Sequence, residues 1–204
     1  SMGEILQDDI PMLVDLLKVP DSEYMLRLEV VKVLTALKHV TIVHMSRIVP
    51  LLEDPNHNVR IAAVDVLAAL GPAAMAQAPK FLEQLRHENG NVRVAMFRAI
   101  RGLGPGMKAY LAHITLLLDG PTDSDRTEAA LTLSLMGEAA KDQIPKMVAM
   151  LADRNPNVQA AAAQALGTMG PLAAEHASKL ATRLEDSDKD VRAAAALALG
   201  AMGT

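Results

Sequence analysis

The chain has 204 residues and a formal net charge of −4; half of its residues are hydrophobic, only 2% are aromatic, and Cys and Trp are absent. This balance excludes disulfides, catalytic thiols and thiolate metal sites. It also argues against a general nucleic-acid or anionic-membrane surface, and no apolar run reaches the length of a membrane span.

Taken in order, Ser1 to Gly3 read as the remnant of a cleaved tag, and residues 4–204 as a train of helix–turn–helix units at about 4–38, 39–71, 72–104, 105–137, 138–170 and 171–203. The first unit has the longer turn: ten residues separate Leu17 from Arg27, against eight from Leu52 to Arg60, and Lys38 stands where later units have Gly. In the second, an apolar-periodic stretch from Ile42 to Leu52 ends at the turn Glu53-Asp54-Pro55-Asn56. Asn58 is then expected to cap a helix carrying Val59, Ala63, Val66, Leu67 and Leu70 on one face, with Gly71-Pro72 closing it. The counterparts of Asn58 are Asn91, Ser124, Asn157 and Asp190. In the fourth unit, the run from Asp119 to Asp125 predicts a wider or reoriented turn. The last helix, Val191 to Met202, is apolar on nearly every side, so the chain is expected to be a piece of a longer array or to self-associate through that end.

One column ties the units together. Arg27, Arg60, Arg93, Arg126, Gln159 and Arg192 follow each other at intervals of 33 residues, and Gly71, Gly104, Gly137, Gly170 and Gly203 keep the same interval. A period of this length means stacked supersecondary units whose function lies on an extended surface. An Asp stands six residues before the marker at Asp21, Asp54, Asp153 and Asp186; His87 and Gly120 depart from that column. A pair recurring in this way is read as a structural ladder. The methionines Met136, Met169 and Met202 recur at the last core position and read as adaptable filler.

The stretches from Leu52-Glu53-Asp54 through Asn58-Val59-Arg60 to Ala68-Ala69-Leu70-Gly71, and from Leu184 to Ala195, resemble HEAT repeats, more narrowly the short HEAT-like repeats first noted in phycobilisome lyases. The resemblance covers essentially the whole chain. It implies an all-α fold, an α-solenoid wound as a right-handed superhelix of about six repeats, with an inter-repeat hydrogen-bond ladder through the Asp and Arg columns. Asp125 departs from it, standing where a buried Val is usual.

The chemistry-bearing residues do not assemble into a catalytic pattern. His39, His44, His57, His87, His113 and His176 show one His-Glu step, His87-Glu88, against the paired steps by which HEAT-like deoxyhypusine hydroxylases bind iron. No metal, cofactor or catalytic residue is therefore assigned. Base-flipping or stacking on nucleic acid would need a basic face with aromatics, and only Tyr24, Phe81, Phe97 and Tyr110 are present. The expectation is a non-enzymatic, cytoplasmic scaffold that binds a partner protein or peptide. Bilin-lyase-like or other HEAT-like enzyme activity, and a spacer role in a larger protein, are the alternatives. On the second helix of each unit the face opposite the core falls one, five and eight residues after the marker. In the middle units this face carries Ile61, Asp65, Val94, Arg98, Arg101 and Leu131, the expected partner-binding residues, with Arg98 and Arg101 directed at an acidic or mixed partner.

Overall fold

A computed structural model describes residues 2–71, 73, 74, 85 and 87–203. Among these residues the chain is all helix and turn with no strand, and it is an all-α solenoid. It divides into two compact units, Ser1–Gly106 and Met107–Thr204, so the division falls two residues beyond the stretch 72–104. No helix of the described residues is long and apolar enough to cross a membrane. The first helix expected within 72–104, together with Pro72 and Phe81, lies outside the described residues.

Unit 1 contains α1 (Met2–Asp15), α2 (Tyr24–Ala36), α3 (Lys38–Thr41), α4 (Met45–Ile48), α5 (His57–Leu70) and α6 (Gly90–Gly102). The second helices form a row in which α5 packs between α2 and α6. The buried residues of α5 are Val59, Ala62, Ala63, Val64, Val66, Leu67 and Leu70, a broader apolar face than the sequence alone indicated. Leu51 and Leu52, in the stretch before α5, and Met96, Phe97 and Ile100, on α6, are buried as well, and both elements pack against α5. Each large side chain so enclosed stabilises the fold by about 1.5–3 kcal/mol relative to exposure.

Unit 2 contains α7 (Leu111–Leu116), α8 (Asp123–Ser134), α9 (Ile144–Ala149), α10 (Pro156–Met169), α11 (Ala177–Ala181) and α12 (Lys189–Met202), with α10 packed between α8 and α12. Met136, Met169 and Met202 are all buried. Among the described residues the first half of the second, fourth, fifth and sixth pairs is broken, whereas α1 is continuous: α9, for example, is preceded by a 3-10 stretch over Gly137–Gln143 and followed by another over Met150–Ala152. Such 3-10 turns tighten the ends of helices only six or so residues long.

Small residues set how closely the second helices approach. A Cβ on Gly167 would lie 2.7 Å from Ala198 Cα, and one on Gly102 would lie 2.6 Å from the Ala68 carbonyl oxygen. These glycines therefore hold the crossings of α10 with α12 and of α5 with α6. Where α2 ends there is no Gly to turn the chain. Leu37 stays at negative φ, α3 starts at once at Lys38, and the buried Thr41 hydroxyl donates to Leu34 O at 2.9 Å.

The helix starts correct the sequence reading. The capping side chains are Asn56, Asn89, Asn155 and Asp188, two residues before the expected Asn58, Asn91, Asn157 and Asp190. The reason is geometric: a cap oxygen must reach the N–H two or three residues on, and Asn56 Oδ1 accepts from Asn58 N at 2.8 Å. In the fourth pair the cap is Thr122 rather than Ser124, and the turn keeps the register of the others instead of widening. Thr122 and Asp125 form a capping box, and Asp125 is buried at 2% exposure. A Cβ at Gly120 would come within 2.8 Å of Asp125 Cβ, so this Gly makes room for the buried carboxylate.

Candidate functional site

The marker column and the Asp column meet in each turn, mostly through the main chain. Arg60 donates to the carbonyls of Asp54 and Pro55, Arg93 to those of His87 and Glu88, and Arg192 to those of Asp186 and Ser187. Gln159 does the same toward Asp153 O. The side chain of the residue six before the marker accepts from the N–H two residues on: Asp54 from Asn56, Asp153 from Asn155, and Asp186 from Asp188. His87 substitutes for Asp in this role, its Nδ1 accepting from Asn89 N at 2.9 Å. Asp21 pairs with its marker directly, at 3.0 Å from Arg27, which also donates to Leu17 O and Val19 O across the longer turn.

Carboxylates also link successive pairs. Arg126 grips Asp153 through Nε and Nη2 and reaches Asp123 and Gly120 O as well. Asn155 Nδ2 donates to Asp123, and Asn56 Nδ2 donates to Asp21 at 3.1 Å. Hydrogen bonds from Asn56, Asn58 and Arg27 hold the Asp21 carboxyl below its ordinary pKa. For Asp153, burial pushes the pKa up, and the bonds from Arg126 and Asn155 outweigh it, leaving the group below its ordinary value.

The face expected to meet a partner is grooved in both units. In unit 2 a groove of about 590 Å³ runs over α8, α10 and α12, with Thr127, Leu131, Ala160, Gln164, Ala193 and Leu197 along its length. These are the positions one and five after the marker. In unit 1 a groove of about 310 Å³ lies between α2 and α5 and includes Tyr24, Leu28, Ile61 and Asp65. Of the positions eight after the marker in unit 2, Ser134 is buried and donates to Leu131 O, and Gly167 lies against Ala198, whereas Gly200 is exposed.

Of the six expected contact residues, Ile61 and Asp65 line the unit 1 groove and Leu131 lines that of unit 2. Val94 is half-buried on α6, and Arg98 extends from α6 to Asp65 at 3.2 Å. Arg101 is half-buried and also has interaction partners, so neither arginine is a bare charge. Burial pushes the Asp65 carboxyl above its ordinary pKa, and Arg98 offsets this only in part. Two further residues, Tyr24 and Leu197, line these grooves, and of the two only Tyr24 lay outside the expected columns. Tyr24 lies three before the marker, in the first turn of α2, and is 55% exposed; Leu197 is 77% exposed. Leu197 occupies the right column, but it follows Ala193 to Ala196 in the last unit, outside the middle units from which the contact set was drawn. Among the described residues no group of three His, Asp or Glu converges as a metal site.

Residues 144–204 match the family model for HEAT repeats, and residues 45–74 match that for a single HEAT repeat. Both describe HEAT repeats in general and do not distinguish the phycobilisome-lyase type. No curated protein matches the sequence. Among solved structures, an engineered protein is similar at 20% identity over 96% of each chain, with a TM-score of 0.64. Computationally designed armadillo repeat proteins for modular peptide recognition are similar at 16% identity, over 94% of this chain and 99% of that one, with a TM-score of 0.61. Kap121p bound to Pho4p is similar at 17% identity with a TM-score of 0.71, over 98% of this chain and 24% of that one. At these identities the likeness is one of fold.

Proposed function

Because this chain is a HEAT-repeat protein, we propose that it is an interaction scaffold, without chemistry of its own, that binds a partner protein or peptide along the exposed face of its second helices. The observation that carries this reading is the pair of grooves, one within each unit, over equivalent columns of the repeat. A groove floored by Ala and edged by Leu131 and Leu197 offers apolar area that water solvates poorly, with Gln164 and Thr127 as polar anchors. Ile61, Asp65 and Leu131 are the assigned contacts, joined by Leu197; Arg98 on α6 pairs with Asp65, and Val94 and Arg101 share that helix. The turn network of the Asp and Arg columns is assigned the structural task of holding successive pairs in register. The designed armadillo proteins, built for peptide recognition, and Kap121p, bound to Pho4p, support the reading by analogy of fold.

The test is comparative affinity capture with the wild type and with the double variant Leu131→Glu, Leu197→Glu. Both side chains border the groove and Leu197 is mostly exposed, so the variant keeps the fold, checked by its thermal transition. Loss of the captured partner in the variant supports the reading, and recovery of the same partners in equal yield sinks it.

A further inference from the structure

We infer that unit 2 has a second docking surface, a groove over its first helices in which an acidic peptide seats an Asp or Glu carboxylate between Lys179 and Arg183. The groove encloses about 500 Å³ and is built from α9, α11 and the 3-10 turns that follow them. It shares no residue with the groove over α8, α10 and α12, so this surface is additional to the second-helix face proposed above. Its apolar lining is Val148, Ala149, Leu151 and Ala152, and its two charged residues are both cations.

Comparison between repeats shows why one of those cations is unmatched. Lys146 and Lys179 hold the same place in successive pairs, 33 residues apart. Lys146 Nζ donates to Asp119 at 2.6 Å, across 27 residues of chain. The residue at that distance before Lys179 is Ala152, so the carboxylate that neutralises Lys146 has no counterpart here. Lys179 is exposed and makes no ion pair among the described residues; Glu175, on the preceding turn, pairs with His176 instead. Arg183 departs from its own column, where Leu51, Leu117 and Met150 stand in other pairs. Its Nη1 reaches Leu151 O and Asp186 Oδ2, each at 3.4 Å, the long limit of a hydrogen bond. Asp186 also accepts from Asp188 N, and it offsets at most one of the two positive charges. Cations four residues apart on one helical face repel each other, and a carboxylate between them relieves that repulsion. The apolar lining favours a peptide over a nucleic acid, whose phosphates need a longer run of cations than two. A Leu or Val beside the carboxylate covers Val148 and Leu151.

The experiment uses fluorescence anisotropy at low salt with a labelled peptide alternating Leu and Glu, and its counterpart in which every Glu is replaced by Gln. The full chain is expected to bind the Glu peptide at least about fivefold more tightly than the Gln peptide. Lys179→Gln is expected to remove most of that preference. Ala152→Asp is expected to do the same without touching either cation, because it restores the carboxylate that Lys146 has in Asp119. An unchanged thermal transition shows that both variants keep the fold. Lys108→Gln removes an exposed cation elsewhere in unit 2 and is expected to leave binding unaltered. Equal binding of the two peptides, or none of either, overturns the inference. So does a loss in Lys108→Gln equal to that in Lys179→Gln, which would make the attraction one of net charge. Displacement of the Glu peptide by an equal concentration of single-stranded oligonucleotide would mark a phosphate-binding surface and overturn it too. The double variant Leu131→Glu, Leu197→Glu separates the two surfaces: it is expected to keep the Glu peptide. If it loses the peptide while Lys179→Gln retains it, the peptide sits on the second helices, and this inference fails while the reading above stands.

Discussion

Arg126 donates from Nε to Asp153 Oδ2 at 2.8 Å and from Nη2 to Asp153 Oδ1 at 3.0 Å, a two-point grip across 27 residues of chain. Both side chains are nearly buried, and the same guanidinium also donates to Gly120 O. With Gly at the position six before the marker, the guanidinium is held by Asp123 of its own turn and by Asp153 of the next pair.

Arg126→Ala is therefore expected to lower the free energy of unfolding by about 3 kcal/mol, since it strands a mostly buried carboxylate. Arg126→Lys should recover little, because an ammonium cannot reproduce the fork. Arg192→Ala removes an exposed side chain bonded to two carbonyls and should cost below about 1 kcal/mol. Urea unfolding of the three variants decides; equal losses at Arg126 and Arg192 would contradict the structural account.

Gly167 and Gly200 occupy the same place in successive repeats, yet opposite outcomes are expected from Ala. A Cβ at Gly167 meets Ala198 Cα at 2.7 Å, whereas at Gly200 nothing lies within 4 Å. Gly167→Ala should cost about 1–3 kcal/mol by forcing α10 and α12 apart. Gly200→Ala should stabilise by about 0.4–1 kcal/mol through helix propensity and a less flexible unfolded chain. Opposite shifts in the melting temperature are the signature; shifts of the same sign would show that the helix crossing is wrong.

His87 makes the third turn sensitive to acid. Burial, then the charge of Arg60, lowers its pKa, against Glu88, which raises it; Arg93 and His57 add to the lowering. The folded chain thus holds this proton less tightly than the unfolded one. The stability that results is present above the unfolded pKa of about 6.5, and is lost as pH falls from there through the folded value. In structural terms, the proton occupies the Nδ1 lone pair that accepts from Asn89 N. His87→Asp restores the acceptor used in the other turns. The difference in unfolding free energy between the wild type and His87→Asp should widen as pH drops from about 7.5 to 5; a constant difference would remove His87 from the titration.

Leu197 separates binding from stability. At 77% exposure, Leu197→Ser should change the free energy of unfolding by no more than about 0.5 kcal/mol, while lowering partner capture through the unit 2 groove. A loss of stability without a loss of capture would place the residue in the core instead.

Much of the fold was legible because repetition is a local signal. The beat of 33 residues, the helix-breaking glycines and the apolar face of α5 follow from backbone preference and side-chain periodicity. Gly71, Gly137, Gly170 and Gly203 all take positive φ, as a column reserved for Gly implies. The caps were misplaced by two residues because Asn56 and Asn58 are chemically alike, and only the path of the chain shows which oxygen faces a free N–H. Half of the expected contact set, Ile61, Asp65 and Leu131, lines the grooves, since the helical wheel points those positions away from the core.

Pairing and exposure were decided elsewhere. Periodicity marks a column of arginines but cannot say that Arg126 would take Asp153 while Arg60 settles for main-chain carbonyls. Nor can it say that Gly167 is closed by Ala198 while Leu197, one residue before it, stands in the open. Both depend on how near the neighbouring helix comes. That distance is set by side chains a whole repeat away in the sequence, so it emerged only with the tertiary packing.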